Sequence, residues 1–174
     1  MGRPCPGCGV DEEAIGALDA INTVRSFPRR YRAALATLNY DPAFNTLVRT
    51  RPRPDEWSAL EYTGHAADVV DRLAPAIRRI QAEDRPRLEL FDLEAHVAEA
   101  RYNERPWTDA VWALETACSD MASTLETVEP EEWARTGTFD WGERDILAAA
   151  RHAVHEGAHH LGDVERVLAA LGAA

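Results

Sequence analysis

Between residues 144 and 171 the apolar positions return with the period of an α-helix. A helix advances about 100° per residue, so with Ala150 set at zero, Ile146, Val154, Gly157, Leu161, Val164 and Leu168 fall within about 40° of it. Ala149, Ala153 and Val167 widen this inward stripe toward roughly 260–300°. The pattern predicts a long helix with one buried face.

Three more segments carry the same period. Residues 11–38 read as helix with a break near Ser26-Phe27-Pro28, because proline lacks the donor and crowds the preceding turn. A second helix begins at Ser58, where Ser58 and Glu61 form a capping-box signature, and runs to about Glu83 with a bend at Pro75. The third spans about 106–127, with Trp107, Val111, Leu114, Cys118, Met121 and Leu125 at helical spacing. Between them, residues 39–56 with Pro42, Pro52 and Pro54 read as an irregular connection, and residues 84–103 as a long linker with a short helix around Leu93–Arg101. The stretch around Trp133 and Trp141, interrupted by Pro130, Gly137 and Gly142, is expected to pin one end of the assembly or to pair as a short hairpin. The fold class expected is all-α: a four-helix bundle of the up-down-up-down type with long inter-helix connections. Residues 1–10 form an N-terminal segment bearing Cys-x-x-Cys, and residues 11–174 form the bundle domain.

Composition narrows the function classes. Thirty acidic against nineteen basic residues give a formal charge of −11, which disfavours nucleic acid as a partner. No run approaches 18 continuous apolar residues, so no membrane span is expected, and the first residues have no apolar core of a signal peptide. A cytoplasmic location follows by default. All the basic residues are Arg, the bland cause being codon bias.

The candidate chemistry sits on the last helix, which carries four of the six histidines. On the wheel His160 falls at about 280°, inside the widened stripe, and Glu156 at about 240°, at its edge. His155 falls at about 140° and His159 at about 180°, and both are expected at the surface. A carboxylate and an imidazole at i and i+4 have Cβ atoms about 5–6 Å apart and can share one metal ion. The third ligand expected is His65, at the edge of the second helix's apolar arc beside Tyr62 and Val69. His152, at about 200°, and Asp163, at about 220°, are placed to orient Glu156 or His160. The bland alternative is that these border histidines are simply hydrogen-bonded and that Glu156 pairs with an arginine. A His₂Glu set suits Zn²⁺, with Ni²⁺ or Mn²⁺ also accepted, and leaves a coordination position open. His96, flanked by Ala95 and Val97, reads as packing or surface. Cys5 and Cys8 are open to three readings: a terminal turn with free thiols, a small structural Zn²⁺ site completed by a histidine or a second chain, or a redox pair. Cys118 reads as a buried small hydrophobe.

Two motifs resemble a known family. Trp57-Ser58-x-x-Glu61…His65-x-x-Asp68, followed by His155-Glu156-Gly157-x-His159-His160-Leu161-x-Asp163-Val164, is similar to the DinB-like/YfiT-like four-helix-bundle superfamily of metalloenzymes. The second motif resembles its mycothiol-dependent branch, which includes maleylpyruvate isomerase and the mycothiol S-transferases. The resemblance implies Zn²⁺ held by His65, Glu156 and His160, the three residues the wheels select. It further implies mycothiol as cosubstrate, with a zinc-activated thiolate attacking a small-molecule electrophile. The alternatives are a metal-dependent hydrolase at the same site and a non-catalytic stress-response module that holds metal or a small ligand. A homodimer through bundle faces is compatible with the family.

Overall fold

The computed structural model describes residues 2–36, 42–89 and 93–172. The helices are α1 (Ala17–Ala36), α2 (Pro42–Leu47), α3 (Ala59–Ala82), α4 (Leu93–Ala100), α5 (Trp107–Glu126) and α6 (Ile146–Ala170), with a hairpin of β1 (Thr136–Phe139) and β2 (Gly142–Asp145) before α6. Residues 37–41, which hold the end of the expected first helix and the start of the expected irregular connection, lie outside the described residues. Residues 42–47 of that connection are helical. No helix among the described residues is long and apolar enough to cross a membrane.

The four long helices form the expected bundle, and its long connections change the path from the up-down-up-down type, as the family resemblance implies. Packing joins α3 to α5 and α6, and α1 to the same two, so that α1 and α3 face each other across one diagonal and α5 and α6 across the other. Ion pairs report the directions. Arg25–Glu126 and Arg32–Glu115 make α1 and α5 antiparallel. Arg78–Asp120 together with the Leu60–Ala110 cluster makes α3 and α5 parallel. The path is therefore up-down-down-up. Parallel neighbours need a crossover that returns the length of the helix, and residues 83–106 supply it, which accounts for the long linker in the sequence.

The linker is fastened at both ends. Leu88 N–H donates to Thr138 O (2.8 Å) and Thr138 N–H to Pro86 O (2.9 Å), tying its start to β1. At its far end the Tyr102 hydroxyl donates to Asp68, with the Tyr102 ring flat against Gly64. The hairpin closes the end of the bundle where α6 begins: Phe139 is buried, Trp141 stacks on it at 4.7 Å, and Asp145 caps α6 by accepting from Ala148 N–H (2.7 Å).

Helix α1 does not break at Pro28. A mid-helix proline costs about 3 kcal/mol, but Phe27 and Tyr31 on either side are fully buried, each contributing about 1.5–3 kcal/mol. The Tyr31 hydroxyl also donates to Gly157 O at 2.9 Å, a bond that an interrupted helix would misplace. Packing outweighs the local preference. At its other end α1 starts at Ala17, because residues 12–14 form a separate 3₁₀ turn capped by Asp11. The capping box of α3 forms as expected: Ser58 Oγ accepts from Glu61 N–H and the Glu61 carboxylate from Ser58 N–H.

Candidate metal centre

The cap at Ser58 fixes the first turns of α3 and with them the direction of His65. Trp57, just before the cap, folds over the His65 ring (centroids 5.0 Å apart), while Tyr62 stacks on His160 of α6 at 5.5 Å. On α6, Gly157 lets the bundle close at this level, since a Cβ there would lie 2.3 Å from the Phe27 ring. Helices α3 and α6 thereby bring the His65 and His160 rings to 4.8 Å, edge to face. One ligand atom from each of His65, Glu156 and His160 lies within 4.8 Å of the others. The three residues singled out in the sequence are together.

Their protonation follows from their surroundings. Burial, aided by the neighbouring His160, lowers His65 to about 4, so its imidazole is neutral at pH 7. Its Nδ1 is buried without a hydrogen-bond partner. Burial pushes the Glu156 carboxyl up, but the His160 hydrogen bond and the charges of His152, His160 and His155 outweigh it and hold the group at about 2. Burial works against the charged form of His160 as well, and Asp163 and Glu156 prevail, raising it to about 9. Without a metal, a proton on His160 is thus the positive charge between two carboxylates.

Asp163 determines which nitrogen of His160 is offered inward. Its Oδ2 lies 3.0 Å from His160 Nδ1, while Nε2 lies 3.3 Å from Glu156 Oε2. Arg166 donates to Asp163 Oδ1 at 2.7 Å and also pairs with the buried Glu56, which anchors the carboxylate from behind. The donor set fits a divalent ion. It offers a neutral imidazole with an unpartnered nitrogen, a carboxylate kept ionised, and a second imidazole held by a carboxylate through its remote nitrogen, the usual support of a metal-binding histidine. A cleft of about 400 Å³ opens beside it, lined by Asp55, Trp57, Tyr62, His159, His160 and Asp163.

The other candidates fall elsewhere. His152 packs against Trp141 (5.1 Å), clusters with Glu12 and His155, and lowers the Glu156 carboxyl through its charge; of the two residues expected to orient Glu156 or His160, Asp163 is the one in contact with His160. His96 lies 3.5 Å from Asp68. His155 and His159, expected at the surface, are instead half-buried beneath the N-terminal segment, where they meet Cys5 and Cys8. The wheel missed this because it counts only the bundle core as a partner. A signal was present: two thiols spaced C-x-x-C and two imidazoles spaced i, i+4 add up to four donors. Cys118 is buried, as expected, and its thiol is pushed up to about 12 by burial. Glu56 and Arg166 carried no sequence signal as site residues, and Trp57 and Tyr62 were legible only as a motif residue and as a neighbour of His65; their roles come from α3 and α6 lying side by side.

Comparison with solved structures finds the same fold in a Bacillus subtilis protein described by the words "YfiT from Bacillus subtilis is a probable metal-dependent hydrolase with an unusual four-helix bundle topology". The TM-score is 0.79 at 14% identity, with 99% of this chain and 95% of that one covered. Comparison with curated proteins gives no match. The family model described as "DinB superfamily" matches residues 25–164, which takes in α3 and α5 whole, the greater part of α1 and α6, and the His65, Glu156 and His160 cluster. With that span matched over the bundle just described, the chain belongs to the DinB superfamily.

Proposed function

We propose that the protein is a metal-dependent enzyme in which His65, Glu156 and His160 hold a divalent ion, Zn²⁺ in the first place and Ni²⁺ or Mn²⁺ as acceptable substitutes. The observation that carries this reading is the buried, neutral imidazole of His65, with an unpartnered Nδ1, brought together with Glu156 and His160. A bound ion would lower the pKa of a small nucleophile and hold it in its deprotonated form. The chain's own residues do the rest. Asp163 keeps the proton of His160 on Nδ1 and leaves Nε2 facing inward. Trp57 and Tyr62 pack on the His65 and His160 rings and wall the approach, and the cleft admits a small molecule.

The nucleophile proposed is a low-molecular-weight thiol, mycothiol, transferred to a small electrophile. Support comes from the His155–Val164 motif and from an ion site with three protein ligands and room beside it. The rival nucleophile is water, and its support is the shared fold with YfiT. Metal-loaded protein incubated with mycothiol and monochlorobimane is expected to form the conjugate, and His65→Ala protein is expected not to. Product from a panel of labile esters and amides in the absence of any thiol makes the enzyme a hydrolase. Absence of turnover in both assays with the metal retained refutes an enzymatic role.

A further inference from the structure

Residues 2–10 contain no fully buried side chain, yet they lie in a defined path along α6. Hydrophobic burial therefore does not explain their order. The tether at the start of α1 is polar: Arg151 Nε donates to Ile15 O (2.8 Å) and its NH2 to Glu13 O (3.2 Å). Beyond it, Cys5, Cys8, His155 and His159 each bring a ligand atom to within 4.8 Å of the others.

We propose that Cys5, Cys8, His155 and His159 form a second metal site, separate from the His65 centre, that takes one Zn²⁺ through two thiolates and two imidazoles and staples the N-terminal segment to α6. Four protein donors fill a tetrahedral shell, so the site is closed and structural.

The segment is shaped for this. Cys5 N–H donates to Val10 O (2.8 Å) and Gly9 N–H to Cys5 O (2.7 Å), with Gly9 in the left-handed region at φ 75°, so the chain curls tightly around the two sulfurs. The amides of Cys8 and Gly7 are directed at Cys5 Sγ and lower its thiol, while burial raises the Cys8 thiol against the opposing amide of Val10. Gly7 is pressed against His159: a Cβ there would stand 2.7 Å from its Cε1, so only glycine lets the curl approach the ring. Cys5 Sγ is 3.6 Å from His159 Nδ1, within the sulfur–nitrogen edge of about 3.3–3.8 Å that zinc bond lengths set for a tetrahedron.

The histidines are oriented in the same sense. His155 Nδ1 lies 2.6 Å from Glu12 Oε1, while its Nε2 is buried and makes no hydrogen bond. His159 turns Nδ1 to Cys5 and Nε2 toward Asp163 Oδ2 at 3.7 Å. Each imidazole thus has one nitrogen beside a carboxylate and the other aimed at the thiols, the support expected of metal-bound histidines. Asp163 stands between the two centres, since the same oxygen faces His160.

Full-length protein purified under reducing conditions and loaded with Zn²⁺ is expected to hold two ions per chain by elemental analysis. Cys5→Ser/Cys8→Ser is expected to hold one, and so is His65→Ala, which removes the other centre and leaves this one intact. Loaded with Co²⁺, wild type and His65→Ala are expected to show thiolate-to-cobalt charge-transfer absorption that Cys5→Ser/Cys8→Ser lacks. Should the double variant fail to fold, wild type alone decides: its two reactive thiols must become resistant to alkylation when zinc is added and reactive again on chelation. Unchanged metal content after the cysteine replacements, cobalt without the thiolate band, or thiols that alkylate or form a disulfide equally fast with zinc present would each overturn the site, the last in favour of a redox pair.

Discussion

Asp163 Oδ2 lies 3.0 Å from His160 Nδ1, on the nitrogen remote from the one that faces Glu156. Removing a carboxylate that supports a metal-bound imidazole costs roughly 10- to 100-fold in metal affinity. Asp163→Asn is therefore expected to weaken zinc binding at the His65 centre by roughly that factor while the helical content stays unchanged. Competition with a chromophoric chelator in a Cys5→Ser/Cys8→Ser background measures it.

Metal should stabilise the fold through the same centre. An ion that binds only the native state at 100 times its dissociation constant adds about 2.7 kcal/mol. Zinc added to chelator-treated Cys5→Ser/Cys8→Ser protein is expected to raise the melting temperature accordingly. With His65→Ala added, the rise should vanish. A thermal scan with and without zinc reads both.

Acid should weaken the start of α3. Glu61 accepts from Arg51 Nε (2.8 Å) and NH2 (2.5 Å) and from Ser58 N–H (2.9 Å). Burial raises its carboxyl, but Arg51 and Ser58 outweigh burial and hold it below the usual carboxylate range. A carboxyl lowered on folding contributes stability that is present above the unfolded value of about 4.3 and is lost as pH falls through the folded value. Glu61→Gln is expected to cost about 1–3 kcal/mol at pH 7, with the gap to wild type narrowing below about pH 4. Urea unfolding across pH tests this; a gap that stays constant into acid contradicts it.

The bundle should not tolerate a methyl group at Gly157. In an open helix Gly→Ala gains up to about 1 kcal/mol, but here the new Cβ would meet Phe27 Cε2 at 2.3 Å, and overpacking of this kind costs about 1–3 kcal/mol. Phe27 is fully buried and has nowhere to move. Gly157→Ala is expected to lower the urea midpoint, whereas Gly162→Ala, where no atom lies within 4 Å of the added Cβ, should leave it equal or higher.

The three thiols should separate by reactivity. Cys118 is 1% exposed and its thiol is pushed up to about 12 by burial, whereas Cys5 and Cys8 are half-exposed. Native metal-free protein is expected to titrate two thiols rapidly with Ellman's reagent. The third should appear only after unfolding.

Contiguous residues carried the helices, the capping box at Ser58 and Glu61, and the inward arc that holds Glu156 and His160. Periodicity and capping are relations among near neighbours, so they are legible along the chain. The long stretch between the second and third helices was legible as a linker but not as a crossover, because whether α3 and α5 run parallel is decided by which faces pack. Pro28 shows the same limit from the other side: its local preference is to break the helix, and the burial of Phe27 and Tyr31 overrides it. The histidines divide on this line. His160 could be placed inward from its own helix, but His155 and His159 acquire their neighbours from Cys5 and Cys8, with Cys5 and His159 standing 154 positions apart. A contact across that distance is fixed by the path of the N-terminal segment over α6, which no local pattern encodes, and so the tertiary structure alone decided that the far face of the last helix is covered.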